Sequence, residues 1–197
     1  MTWRPDYTTA VALKAEILKT ASAVDDAWIG LVVTAASRAI DRHTLRQFGR
    51  VATAETRYYP ATYRSERSRW VVTIDDLMST EAAEVAVTLD GVAVTGAVLL
   101  PRNAAAEGKP WTQIQLPEGT WPTDTEVSVL ERWGWLAVPS AITAAALLQA
   151  SRFYNRKDSP YGITPALDAA GALRLLQRVD PDVGVMLTDY VRPGGVA

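Results

Sequence analysis

The spacing of apolar residues changes twice along this chain, and the two changes bound what it can build. Up to about residue 50 apolar positions recur at helical spacing. From Val51 to near Trp135 they fall in short runs of β-branched and aromatic residues, and from Pro139 the helical spacing returns. A helix buries a stripe and a strand buries alternate positions, so the two kinds of segment need separate partners. The pattern predicts an α+β chain: a small helical bundle of two N-terminal helices plus a C-terminal alanine-rich helix, an inserted antiparallel β-rich subdomain, and an extended C-terminal tail. The expected parts are residues 1–51 (N-terminal helices), 52–136 (β-rich insert), 137–160 (helix completing the bundle) and 161–197 (loop, extended tail and short terminal helix).

Local signals place the elements. Thr8 and Thr9 can cap a first helix carrying Val11, Ala12, Ala15, Ile17 and Leu18, with a break at Thr20-Ala21-Ser22. Asp25 and Asp26 favour the dipole of a second helix, expected to run to about Gln47 with Gly49 as its stop. On it Ile29, Val32, Ala36, Ala39, Ile40 and His43 share a face, opposite Gly30, Thr34, Ser37 and Asp41. Strands are expected at 56–59, 70–74, 85–89, 92–94, 112–116 and 126–130, with Asp90-Gly91 as a hairpin turn. Pro139 suits the first turn of a helix whose stretch from Ile142 to Tyr154 is apolar almost all round and so needs cover on several sides. Tyr161 to Gly171 reads as a mobile loop, Ala172 to Val179 as a strand or an extended tail, and Asp180-Pro181 as the opening of a last short helix.

Composition narrows the chemistry. A net charge of −2 supplies no global basic field, so wholesale binding to nucleic acid or membrane does not drive this protein. The insert is the acidic part: residues 53–136 hold 12 of the 22 carboxylates but only 7 of the 20 basic side chains. With no cysteine and one histidine, His43, neither a disulfide framework nor a zinc site of the usual kind is available within one chain. No signal peptide is expected from the first residues, and the apolar stretches fall short of the ~18–20 residues of a membrane span. Asp75-Asp76 is expected to form a turn and Asp180, beside Asp182, a helix cap; neither sits in a catalytic or metal-binding motif, and no phosphate-binding loop occurs. No enzyme activity, cofactor or metal is expected.

Two polar or aromatic patterns stand out. Arg38, Arg42, Arg46 and Arg50 are spaced by four, and each step advances about 40° past a full turn, giving a slowly winding basic stripe if the helix persists. Such a stripe is either a solvated or salt-bridged face or a subunit interface that pairs with acidic groups on a neighbour, with non-specific contact to DNA phosphates a further use. Of seven tryptophans, Trp70, Trp111, Trp121, Trp133 and Trp135 lie in or beside the insert. They suit a sheet core, a protein contact, or a ligand-stacking module.

Three stretches carry a family resemblance: Ala36-Ser37-Arg38-Ala39-Ile40-Asp41-Arg42-His43-Thr44-Leu45-Arg46-Gln47-Phe48, then Trp135-Leu136-Ala137-Val138-Pro139-Ser140-Ala141-Ile142 with the alanine-rich helix through Tyr154, then Leu175-Leu176-Gln177-Arg178-Val179-Asp180-Pro181-Asp182-Val183. Together they resemble the head–tail connector, or adaptor, proteins of long-tailed bacteriophages, in the longer version with a β insert. That family usually has glycine where this chain has Leu45, which puts the helix end there in question. The resemblance implies a structural virion protein, assembled in the host cytoplasm, forming a ring of about twelve copies beneath the portal and lining the DNA exit channel. Its partners would be itself, the portal protein and the next neck or tail protein, with no membrane. By position the portal-binding tail would span Ala172 to Arg192 and use Leu173, Leu175, Leu176, Val179, Tyr190 and Arg192. The alternatives are another neck or tail-completion protein, or a ligand-binding module using the tryptophans of the insert.

Overall fold

Thr9 opens the first helix, its hydroxyl accepting the N–H of Ala12 at 3.1 Å. In the computed structural model, which describes residues 4–78, 86–89, 92–119, 126–158, 163–164, 173–174 and 180–192, that helix, α1, spans Ala10–Ala12 and continues as a π-helical stretch over Leu13–Leu18. The chain divides into two units, residues 1–46 with 138–197, and residues 47–137.

The first unit is helical. Helix α2 spans Asp26–Thr44 and α3 spans Ser140–Asn155, with Pro139 just before the first turn of α3 rather than within it. Their shared core holds Leu13, Ile29, Val32, Val33, Ala36 and Ala150. Alanines on α3 let the helices approach closely; Ala145, Ala146 and Ala150 are fully buried. The face of α1 differs from expectation: Val11 points to solvent and Leu13 is buried, because the phase of the helix is set where Leu13 enters this core. Ser37, expected on the polar face of α2, is also buried. Its hydroxyl donates to the Val33 carbonyl and accepts the Tyr7 N–H, both at 3.0 Å, so the Ser37 hydroxyl stays paired under the N-terminal segment. His43 is only half-buried.

Helix α4, Pro181–Leu187, packs on α3 through Val183 and Leu187. Asp180 caps it, accepting the Asp182 N–H at 3.0 Å, and also accepts from Arg152 of α3 at 2.9 Å. Beyond α4, the N–H of Arg192 donates to the carbonyl of Thr44 at 2.9 Å, which ties the described C-terminus to the last turn of α2.

The second unit is a seven-stranded antiparallel sheet. Its strands are β1 (Glu55–Arg64), β2 (Arg69–Leu77), β3 (Ala86–Leu89), β4 (Val92–Ala93), β5 (Val98–Leu100), β6 (Trp111–Gln115) and β7 (Glu126–Glu131), in the order β4-β3-β7-β1-β2-β6-β5. Every expected run that is described is a strand; β5 was not anticipated, and Val85, Asp90 and Gly91 lie outside the described residues, although Leu89 pairs with Val92 across them. Strand β1 serves two partners in turn: Glu55–Pro60 pair with β7 and Ala61–Arg64 with β2. Pro60, with no N–H to give, stands at the changeover. Buried Val71, Val72, Ile74, Ile114, Val127, Val129 and Trp133 fill the core. In the helical unit, a separate two-stranded pair joins β8 (Ile163–Thr164), within the stretch expected to be loop, to β9 (Leu173–Arg174).

Helix α2 ends earlier than the expected Gln47. It stops at Thr44, with Leu45 in the left-handed conformation at φ 54°, a position where a β-carbon costs roughly 1–2 kcal/mol. The residues after it are committed elsewhere. Phe48 and Val51 are buried in the sheet unit, and Phe48 meets Trp135 with ring centroids 5.1 Å apart. Gly49, at φ 97°, is therefore a junction residue of the sheet unit and not the stop of α2. A β-carbon on Gly134 would lie 2.1 Å from the Gly49 carbonyl oxygen, so only glycine permits this crossing.

Candidate subunit interface

Helix α2 carries a second apolar stripe beside the one that faces its own core. Trp28, Leu31 and Ala35 recur at helical spacing, and with Val32 they form one wall of a groove. Phe153, Arg156 and Lys157, at the end of α3, form the other wall; the groove encloses about 500 Å³. Leu31 is 64% exposed and Trp28 37%. Neither residue belongs to the core cluster, which meets the groove through Val32 and Phe153.

The rim of the groove is basic but anchored. Lys157 pairs with Asp25, and the Tyr154 hydroxyl donates to the same carboxylate at 2.8 Å. The Lys157 ammonium and then this hydroxyl hold the Asp25 carboxyl below the usual carboxylate range. The amine is thus held beside the groove.

A second apolar patch lies on α4. Val183 and Leu187 point inward, while Val185 is 77% exposed and Met186 37%. Asp182 and Asp189 stand exposed on either side of them in sequence.

The four arginines do not form the expected stripe. Arg38 and Arg42 share α2, but Arg46 follows the left-handed Leu45, and Arg50 belongs to the sheet unit, where it bridges to Gly134 and its Nε donates to the Arg132 carbonyl at 3.3 Å. The stripe required a helix that ran six residues further, to Arg50. Arg38 is held within its own chain, 3.0 Å from Asp41, bonded to the Pro5 carbonyl and lying over the Tyr7 ring. Burial pushes the Asp41 carboxyl above its ordinary range, against the pull of the Tyr7 hydroxyl and of Arg38. Arg42 is exposed. Of the expected portal-binding residues, Leu173 lies in β9, and Tyr190 and Arg192 lie in and after the turn that follows α4; Leu175, Leu176 and Val179 are outside the described residues.

The described tryptophans of the insert form no exposed platform. Trp111, Trp133 and Trp135 are buried, and Trp70 is half-buried against Tyr63 with the rings tilted by 56°; Trp121 lies outside the described residues. The indole of Trp133 donates to the Glu55 carbonyl and that of Trp135 to the Asp76 carboxylate, each at 2.9 Å. Asp75 and Asp76 are therefore not a turn. Both belong to β2, where Asp75 accepts from Arg57 at 2.7 Å and from the Tyr59 hydroxyl at 2.9 Å. Burial and the nearby Asp75 charge push the Tyr59 hydroxyl well above its usual range. Arg57 and Tyr59 lie on β1 and Trp135 lies beyond β7, so sequence neighbours gave no hint of these partners. Among the described residues no group of three or more His, Asp or Glu is placed to hold a metal, and no helix is long and apolar enough to cross a membrane.

The groove itself was missed at the level of sequence, although the spacing of Trp28, Leu31 and Ala35 carried the signal.

No family model and no curated protein sequence matches the chain. Among solved structures, a chain from the neck of an empty GTA (gene transfer agent) particle computed with C6 symmetry matches at a TM-score of 0.55 and 19% identity, over 100% of this chain and 96% of that one. A chain from the neck of a native GTA particle computed with C12 symmetry matches at a TM-score of 0.44 and 19% identity, with the same coverage. The first likeness concerns the fold, and it runs the whole length of this chain.

Proposed function

We propose that this protein is a non-enzymatic structural subunit of the neck of a phage-like particle, a head–tail connector that forms a cyclic ring beneath the portal around the DNA exit channel. The observation that carries this reading is the open apolar groove of α2 and α3, where Trp28 and Leu31 stand exposed outside the core cluster of the helical unit. Repeated copies in a ring give such a surface a partner at every position. The fold likeness to a neck chain over its full length supports the same assignment. In this reading the C-terminal segment around Leu173, Leu175, Leu176, Val179, Tyr190 and Arg192 contacts the portal, and the arginine contribution to the subunit interface falls to exposed Arg42, with Arg46.

Native mass measurement of the purified protein, alone and mixed with the portal protein, tests the assignment. A ring of about twelve copies, free or on the portal, is the expected species. A monomer that ignores portal overturns it. Charge reversal at Arg42 and Arg46 should weaken the ring; truncation after Pro160 should abolish portal attachment.

A further inference from the structure

The ring reading leaves open which surfaces meet, and the helical unit carries two apolar patches that complement each other. The first is the groove of Trp28, Leu31, Ala35 and Phe153, flanked by Arg156 and Lys157. The second is the outer face of α4, where Val185 and Met186 project between exposed Asp182 and Asp189. One is a groove flanked by two cationic side chains, of which Lys157 already holds Asp25 of its own chain; the other is an exposed apolar helix face with acidic flanks.

We infer that the ring contact is formed by α4 of one copy seated in the α2–α3 groove of the next, with Val185 and Met186 entering beside Trp28 and Leu31, and Asp182 and Asp189 facing Arg156 and Lys157. The inference rests on the ring assignment and adds the identity of the two surfaces. The two patches are different parts of one chain, so the contact is head-to-tail, the kind that generates a closed ring when the rotation between copies closes. A contact of either patch with its own counterpart would bring like charges together and would stop at a dimer. The groove falls within the ~300–1,000 Å³ of small-molecule pockets, but it lacks the few convergent polar groups that orient such a ligand. Its polar lining is two long cationic chains at one end, which suits an acidic edge on a protein partner. Helix α4 is already fixed to its own copy by Val183, Leu187 and the Arg152–Asp180 pair, so it is presented as a rigid knob.

The natural absence of cysteine makes the test clean. Full-length Leu31→Cys protein is mixed with full-length Val185→Cys or Met186→Cys protein under mild oxidation, alone and on portal, while native mass follows the ring. All three positions are exposed, so folding is retained. A disulfide-linked heterodimer, formed only when rings are present, is the expected result. A chain carrying both cysteines should give a ladder of linked copies, and Met186→Glu should lower the fraction of protein in rings by about tenfold. Rings that form normally while neither pair cross-links overturn this contact and leave the ring assignment standing. Absence of any ring from the unmodified protein, alone and with portal, removes the ring assignment and this contact with it.

Discussion

The sheet unit buries Trp111, Trp133 and Trp135, whereas the helical unit leaves Trp28, Leu31, Val185 and Met186 open to solvent. Both units carry apolar payloads, and the sheet unit too exposes some, Tyr58, Tyr63, Val92 and Leu130 among them, but its described tryptophans are buried or half-buried. In the sheet unit two of the buried indole N–H groups have partners, the Glu55 carbonyl for Trp133 and Asp76 for Trp135, so these rings are held by the unit itself. In the helical unit, Leu13, Ile29, Val32, Val33, Ala36 and Ala150 form the core, and Trp28, Leu31 and Ala35 lie outside it, in the groove that Val32 also lines. Apolar surface that folding does not consume is what association draws on.

The comparison can be broken most sharply at Trp133. Replacing it with alanine empties the centre of the sheet unit and strands the Glu55 carbonyl; a loss of about 3–5 kcal/mol in denaturant unfolding is expected, and a much smaller loss would mean that the sheet core is not closed. Asp180→Ala removes the cap of α4 and its link to Arg152, and should cost about 1 kcal/mol, read by the same method. Leu31→Ser should change stability by no more than about 0.5 kcal/mol while weakening the ring; a large stability loss would show that the groove belongs to the core after all. The subtlest effect is a pH dependence. Asp25 has a lowered pKa in the folded chain, so its contribution is present above the unfolded carboxylate value and fades as pH falls through the folded one. Asp41, raised by burial, works the other way, its proton being bound more tightly in the folded state. Asp25→Asn should therefore flatten the acid-side loss of stability measured by unfolding at a series of pH values, and an unchanged profile would deny the Lys157 and Tyr154 contacts their role.

Much of the architecture was legible because strands and helices here announce themselves locally. Trp70 to Ile74 and Val127 to Val129 are rich in β-branched side chains, and Asp180-Pro181 carries a cap and a proline in the order a helix start requires. What could not be read depended on distant residues. The end of α2 hinges on Phe48 joining Trp135, far along the chain, and on Leu45 accepting a backbone conformation that its type disfavours. The arginine stripe failed for the same reason, since its spacing presumed a helix that long-range burial cut short. Asp75 and Asp76 looked like turn formers because their partners Arg57, Tyr59 and Trp135 lie on other segments. The groove, by contrast, was written in the spacing of Trp28, Leu31 and Ala35, overshadowed by the stronger stripe next to it.

The crossing of Gly49 and Gly134 has a consequence for how such a chain can change over time. Around it Val51 donates to the Trp133 carbonyl and Trp135 to the Gly49 carbonyl, both at 2.9 Å, so the entry and exit of the inserted sheet are zipped together at its base. A segment whose two ends are already joined costs its host little more closure entropy than a short turn would. The sheet is in this sense a graft on a stem. It can be lengthened, exchanged or pruned back to the stem without asking the helices on either side to solve a new folding problem.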